Sequence, residues 1–286
     1  MPVLAPRPPS RLACGRRHSL GVLADGTVAA AGDGAAGECD VQGWRDVVAV
    51  AAGDVHPAPN TGRSHSLGLR SDGTVLATGW DAAGQCGVGG WRDVVAVAAG
   101  WRRSVGLLAD GRVVAVGRTA EGAGDVASWR EVVAVTAGDW HTVAVRADGT
   151  AVAAGAARAG QCAVQDWRGL VDVAAGYLCT VGLREDGSVV STGRPDAGAG
   201  AVAGWRDVVE VAVGSHHTVA LTADGRVVAA GADDHGQCGT GAWRDVVEVA
   251  AGAAHTLGLR ADGTVLAVGD DAGGRLAVDG WRCARR

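Results

Sequence analysis

The fold is decided by a stretch in the second half of the chain, residues 205–238, which read WRDVVEVAVGSHHTVALTADGRVVAAGADDHGQC. A Trp-Arg pair opens the stretch, a β-rich run ends at Gly214, and an Asp-Gly pair at Asp224 stands between two apolar runs. Asp-Gly in this setting is the strongest local signal for a β-hairpin, and we expect a type I′ turn with positive φ at both residues. The stretch therefore predicts short antiparallel strands and no helix.

The same pattern recurs along the chain. Trp-Arg pairs lie 38 residues apart, with one spacing of 47, and begin at Trp44, Trp91, Trp129, Trp167, Trp205, Trp243 and Trp281. The Asp-Gly pairs follow the same spacings and begin at Asp25, Asp72, Asp110, Asp148, Asp186, Asp224 and Asp262. The longer spacing reflects a nine-residue insertion within residues 54–63. Seven repeats of about 38 residues, each with four short antiparallel strands, predict an all-β, seven-bladed β-propeller.

The two ends of the chain indicate how such a ring would close. Residues 12–15 match residues 97–100 in the middle of a repeat, and the chain stops just after Trp281 and Arg282, where that same strand would be due. We therefore expect the N-terminal strand to complete the last blade and close the ring. Residues 1–11 would form an N-terminal extension, and residues 12–286 a single domain.

Charge and cysteine content limit the classes of partner and compartment. The net charge is −5 and no basic run occurs, which argues against nucleic acid as a partner, since such proteins usually carry a basic stripe. Seven cysteines in a chain too long to need disulfides predict reduced thiols in the cytoplasm. We find no signal peptide and no apolar run that could span a membrane. We expect a cytoplasmic monomer without a cofactor.

Several motif elements recur in order and resemble a known family. Ala-Gly-x-x-His-Thr, as at Ala251 to Thr256, and Gly-Gln-Cys, as at Gly236 to Cys238, are similar to the regulator of chromosome condensation repeat over roughly residues 12–282. The 38-residue unit resembles the compact bacterial form. The resemblance implies a seven-bladed propeller but no single function. Similar propellers include a nucleotide-exchange factor on chromatin, a plant ultraviolet-B photoreceptor and a bacterial inhibitor of β-lactamases.

Positions shared by all repeats are expected to build the scaffold. One Trp per repeat would pack in the core, with the following Arg over its ring face. In five repeats a histidine follows the Gly that ends the first β-rich run, either three residues after that Gly or, in the repeat with the insertion, beyond the insertion. We expect these histidines to form structural hydrogen bonds; they are His18, His65, His141, His217 and His255. Because these histidines lie on separate blades, they predict no metal site, which needs three or four ligands around one point.

Residues that differ between repeats are the candidates for function. Antiparallel strands place the loop after each Ala-Gly and the loop before each Gly-Gln-Cys on one edge of the ring, which we call the aromatic rim. The three Trp residues outside the repeated position and the only Tyr lie on this rim, together with several basic residues. The candidate partner-binding residues are Trp80, Trp101, Arg102, Arg103, Trp140, Tyr177, Arg16, Arg17 and His216.

Trp, Tyr and Arg dominate binding hot spots, so we predict a non-catalytic scaffold that binds a protein partner through the aromatic rim. The aromatic residues would anchor the partner and the Arg residues would orient it. Three alternatives stay open: an exchange-factor-like regulator of a small GTPase, an inhibitor of an enzyme such as a β-lactamase, and a small-molecule site or enzyme that uses Cys179 with a neighbouring histidine. No catalytic constellation is recognised, and no catalytic or metal-binding residue is predicted.

Overall fold

The computed structural model describes residues 9–53, 63–194 and 201–284 of the chain. Within these ranges the regular structure consists of 21 strands and no helix. The strands form seven antiparallel sheets of three, and each sheet is consecutive in sequence. This arrangement is all-β and consistent with a seven-bladed propeller. The predicted insertion lies at residues 54–62, outside the described residues, except for Arg63 at its end.

The bounds of the strands follow the repeat, three strands to a sheet. They are β1 (Leu12–Cys14), β2 (His18–Val22), β3 (Val28–Gly32); β4 (Val47–Ala52), β5 (His65–Arg70), β6 (Val75–Gly79); β7 (Val94–Gly100), β8 (Arg103–Leu108), β9 (Val113–Gly117); β10 (Val132–Ala137), β11 (His141–Arg146), β12 (Ala151–Gly155); β13 (Leu170–Ala175), β14 (Cys179–Arg184), β15 (Val189–Gly193); β16 (Val208–Val213), β17 (His217–Thr222), β18 (Val227–Gly231); and β19 (Val246–Ala251), β20 (His255–Arg260), β21 (Val265–Gly269).

The prediction of four strands per blade is wrong for the described residues, because the segment around Gly-Gln-Cys forms turns. Between β6 and β7 the backbone N–H groups of Gly84, Gly87 and Trp91 bond to carbonyls three residues earlier. Short local bonds of this kind satisfy the backbone groups that a fourth strand would have paired with a neighbour. Each repeat therefore contributes three strands and a coiled connection that leads to the repeated Trp.

The Asp-Gly turns are also different from the predicted type. Only the glycine has positive φ, as at Gly73 (78°), and Asp72 does not share it. In that turn the Arg70 N–H bonds to Thr74 O, and the Gly73 N–H bonds to Arg70 O. This is a three-residue hairpin loop whose last residue takes the left-handed conformation, not a two-residue type I′ turn.

Each repeated Trp packs on the middle strand of a sheet. In five sheets a glycine lies under the indole: a methyl group at Gly68, for example, would come within 2.6 Å of the Trp44 ring. Five of these Trp residues are buried, namely Trp44, Trp129, Trp167, Trp243 and Trp281. We expected the following Arg to lie over the ring face, but it does not. Arg45 instead donates to the carbonyls of Gln42 and Trp44, which fixes the turn before the next sheet.

The prediction that the N-terminal strand completes the last blade is wrong, because this strand joins the first sheet. β1 pairs with β2, and the last sheet consists of β19, β20 and β21. The C-terminal segment returns to this first sheet, where Cys283 bridges Leu23 and the Ala284 N–H bonds to Val22 O. The two ends of the described chain therefore meet on one sheet.

Candidate functional site

Four predicted residues of the aromatic rim form one stack. The Arg102 guanidinium lies over the Trp80 ring at 4.4 Å and over the Trp101 ring at 4.5 Å. Trp101 also contacts Trp140, with 4.5 Å between ring centroids and an interplanar angle of 54°. The structure thus brings Trp80, Arg102, Trp101 and Trp140 together from three sheets, and we call this group the Trp–Arg stack.

Local backbone structure places Arg102 in the stack. Gly100 of β7 pairs with Arg103 of β8, so Trp101 and Arg102 form a two-residue loop. Arg102 has a φ of 59°, a left-handed conformation that costs an L-residue about 1–2 kcal/mol. The Arg118 N–H bonds to Arg102 O and ties this loop to the end of β9. Strain that the surrounding structure maintains at one loop residue is typical of binding and switch sites.

Arg118 extends the stack and was missed by the sequence analysis. Its guanidinium lies over the Trp101 ring at 4.9 Å and donates to Glu121, with 2.7 Å between Nε and Oε2. This pairing raises the pKa of Arg118 and lowers the pKa of Glu121. Arg118 follows Gly117 as Trp80 follows Gly79, so comparing this position in every repeat would have found it.

Arg102 has a different electrostatic environment from Arg118. Burial lowers the pKa of Arg102, and the positive charge of Arg118 lowers it further. Arg102 is half-buried, and no acidic side chain of the described residues forms an ion pair with it. The stack therefore presents one positive charge, next to an Arg118–Glu121 pair that is neutral as a whole.

Arg103 does not belong on the exposed surface, and its prediction as a partner-binding residue is corrected here. It is 1% exposed and donates from Nη2 to Gly138 O and His141 O, each at 3.1 Å. Arg103 takes the place of the repeated histidine and bonds to the next sheet, as those histidines do. Burial lowers its pKa to about 10. Trp101 is only 7% exposed, so it supports Arg102 more than it offers a surface of its own.

The remaining predicted residues lie in a second group on the same rim. Tyr177 meets His216 edge to face, with 5.6 Å between centroids. His216, Arg16 and Arg17 line a cleft of about 540 Å³. The Arg17 guanidinium pairs with Asp33 at 3.3 Å in this cleft. Arg275 and Asp270, which the sequence analysis missed, pair at 3.2 Å on the same wall.

Cys179 is inaccessible, and the alternative that uses it as a nucleophile is corrected for that reason. The side chain is 0% exposed and packs with Val181, Val202 and Val213. A nucleophile must reach its substrate, which this thiol does not. Across the described parts of the chain, no group of three or more His, Cys, Asp or Glu side chains could hold a metal ion. Over the same parts, no helix has the length and apolar character needed to cross a membrane.

Comparison with solved structures gives a consistent fold. The ectodomain of the Arabidopsis thaliana receptor kinase ACR4 matches with a TM-score of 0.71 and 17% identity, over 91% of this chain and 97% of that one. The ectodomain of Physcomitrella patens receptor kinase CR4 matches with 0.70 and 18%, over 91% and 73%. Prp20p from Saccharomyces cerevisiae matches with 0.66 and 19%, over 85% and 80%. A search of curated proteins found no significant match.

The sequence itself matches a family model. The model of the regulator of chromosome condensation (RCC1) repeat matches five segments, residues 60–85, 94–123, 132–161, 208–237 and 246–275. These segments together cover just over half of the 286 residues. Each contains the second and third strands of a sheet and ends in the turns that follow the third strand. The chain belongs to the regulator of chromosome condensation repeat family.

Proposed function

We propose that this protein is a non-catalytic scaffold that binds a protein partner through the aromatic rim. The observation that carries the proposal is the position of Arg102, whose guanidinium lies over two indole rings at 4.4 and 4.5 Å. Trp and Arg are the residue types most enriched in binding hot spots. In this stack they are already held in contact, which lowers the conformational entropy lost when a partner binds.

The stack is a better candidate than an ordinary part of the scaffold for two reasons. The repeated positions carry the same residue type in most sheets, whereas the positions of Trp80, Arg102 and Trp140 carry residues that differ from repeat to repeat. Arg102 is also the one non-glycine residue with positive φ on the aromatic rim of the described chain. A strained, repeat-specific cluster is the pattern expected of a site added to a regular frame.

Family relatives support binding as the general role. The study of Prp20p concerns its binding to Gsp1p and histones, and a second structure shows yeast RCC1 bound to Kap60. These partners belong to those proteins. For this chain we infer only the class of function, a propeller surface that binds protein, and the exchange-factor alternative has no support beyond this likeness.

We also propose that the seven sheets close into a ring that holds the rim in a fixed shape. The first strand of every sheet lines one cavity of about 180 Å³. At the junction of the ends, the Glu248 carboxylate accepts the Leu12 N–H at 2.9 Å, and the Ala24 N–H bonds to Arg282 O at 3.0 Å. Each first strand lines the cavity with at least one residue, namely Leu12, Val50, Val97, Val135, Val173, Val211 and Val249.

The proposed function is tested by quantitative capture from a lysate of the source cells. The bait is the wild-type protein or the double variant Trp80→Ala/Arg102→Gln, each checked for the same thermal unfolding. We expect proteins enriched by the wild type to fall at least about tenfold with the double variant, since hot-spot truncations cost about 2 kcal/mol or more.

The matched control is Arg112→Gln. Arg112 is exposed on the opposite rim, where it pairs with Asp110 of a hairpin turn at 2.7 Å. We expect this variant to recover the wild-type set of proteins. Equal recovery by the folded double variant and the wild type would refute the assignment of the aromatic rim.

A further inference from the structure

The chemistry of the partner can be inferred from the one charge that the Trp–Arg stack leaves uncompensated. Arg118 is neutralised by Glu121, to which it donates from Nε at 2.7 and 2.9 Å. Arg102 has no hydrogen-bond acceptor for its guanidinium among residues 9–53, 63–194 and 201–284. The like charge of Arg118 lowers the pKa of Arg102, in addition to burial.

The geometry of stacking leaves the hydrogen-bonding edge of Arg102 available. A guanidinium contacts an aromatic ring through its face, while its five N–H groups point outward in its own plane. The Arg102 Cζ lies 4.4 Å from the Trp80 centroid and 4.5 Å from the Trp101 centroid, so we infer that the N–H edge is the part left for an acceptor. A planar carboxylate fits such an edge with two parallel N–H···O bonds.

The cost of the unpaired cation favours an anionic partner. Arg102 is half-buried between apolar rings, and both burial and the charge of Arg118 act against its protonated form. An anion bound at the edge would offset both effects, because a charge-assisted hydrogen bond is about twice as strong as a neutral one.

We propose that the partner places a single Asp or Glu side chain against the edge of Arg102, with apolar groups of the same segment against Trp80. This inference rests on the proposed function and names the chemistry that the rim recognises. A phosphoserine carries close to two negative charges and is usually bound by a cluster of Arg residues. Within the Trp–Arg stack, Arg102 is the one cation that no described carboxylate neutralises, which matches one carboxylate. A nucleic-acid backbone would need a row of such cations.

The test uses three short peptides that differ at one residue. Each has the sequence Gly-Leu-X-Leu-Gly, acetylated and amidated, where X is Glu, Gln or phosphoserine. Binding to the full-length protein is followed by NMR through the Arg side-chain Nε–H and Trp indole N–H signals. The Arg102 signal is assigned by its absence from Arg102→Gln.

We expect the Glu peptide to bind at least about tenfold more tightly than the Gln peptide. The preference should disappear in Arg102→Gln and persist in the control Arg112→Gln, whose side chain is exposed on the opposite rim. Equal affinity for the Glu and Gln peptides, no binding of the Glu peptide, or tighter binding of the phosphoserine peptide would overturn the proposal. Self-association that depends on Arg102, measured by sedimentation, would assign the rim to a second copy and also overturn it.

The outcomes of the peptide experiment can be distinguished from those of the capture experiment. If the rim binds protein without reading a carboxylate, the capture experiment will still depend on Trp80 and Arg102 while the Glu preference is absent. If the rim binds no protein, the wild type and the folded double variant will recover the same proteins. That result refutes the proposed function without the peptide experiment.

Discussion

The repeated histidines form hydrogen bonds between neighbouring sheets, and their tautomer follows from the partners. His141 Nε2 lies 2.8 Å from Thr180 Oγ1, and the Thr180 hydroxyl donates its only proton to Gln161 O. The hydroxyl oxygen must therefore accept from His141, which carries its proton on Nε2. The same relay joins His18 to Ser66, His65 to Ser104, His217 to Thr256 and His255 to Ser19.

This arrangement predicts a loss of stability in mild acid. Burial lowers the pKa of His141 from 6.5 to about 3. Above pH 6.5 the residue is neutral in both states. As the pH falls through 6.5, the unfolded chain takes up a proton that the folded protein does not bind, so the free energy of unfolding falls by about 1.4 kcal/mol in total per such histidine between about pH 7.5 and 5.5. Urea unfolding between about pH 7.5 and 5.5 measures this slope.

Two variants test the assignment to the buried histidines. We expect His141→Gln to reduce the slope by about one histidine's share, although it also weakens the fold. His235→Gln, an exposed residue, should leave the slope unchanged. A free energy of unfolding that is constant over this pH range would contradict the account.

At the scale of elements, the hairpin turn is the feature that the sequence predicts well in position and less well in type. All seven Asp-Gly pairs lie in hairpins, as predicted. The pairing of residues on both sides shows a loop of three residues instead of two. The choice between the two loop lengths depends on the strand register, which sequence patterns specify only weakly at strand ends. The same limit explains the predicted fourth strand, since its Gly-rich segment has a β-like spacing but pairs only with itself.

The glycine of the turn has a conformational role that substitution can measure. Gly73 has a φ of 78°, and a methyl group there would lie 3.2 Å from Asp93 Cα. We expect Gly73→Ala to lower the free energy of unfolding by about 1–2 kcal/mol, the cost of the left-handed conformation for an L-residue. Chemical unfolding at one pH gives this difference directly.

The control is Gly89→Ala, in the connection before the next sheet. Gly89 has no positive φ, and a methyl group built there has no atom within 4 Å. We expect a change within about 0.5 kcal/mol. Equal losses for the two variants would show that the turn conformation is not the cause.

At the scale of the whole molecule, the repeat made the fold predictable, while the site was predictable only in part. A period of 38 residues with one Trp and one Asp-Gly pair per unit indicates seven similar sheets, and seven are found. The rim that carries Trp80, Arg102 and Trp140 follows from strand direction alone. Whether each residue faces solvent does not follow, because that depends on side-chain packing between sheets.

Arg103 shows why. The sequence places it beside Arg102 in the same loop, and both are basic, so a pattern cannot separate them. In the structure one more step along the backbone places Arg103 at the first position of β8, where it bonds to carbonyls of the next sheet. Arg102, which has a positive φ, instead lies over two indoles. The first position of the strand thus places one Arg in the interior, and the left-handed loop residue places the other in the candidate site.

The central claim, that the aromatic rim is the binding face, is tested most directly by hydrogen–deuterium exchange on the protein alone and with a captured partner. The account predicts slower exchange at residues 80–85, 100–103 and 139–141, and no change at the hairpin turns 71–74 and 109–112 on the opposite rim. Slower exchange at those turns, with the aromatic rim unchanged, would contradict it.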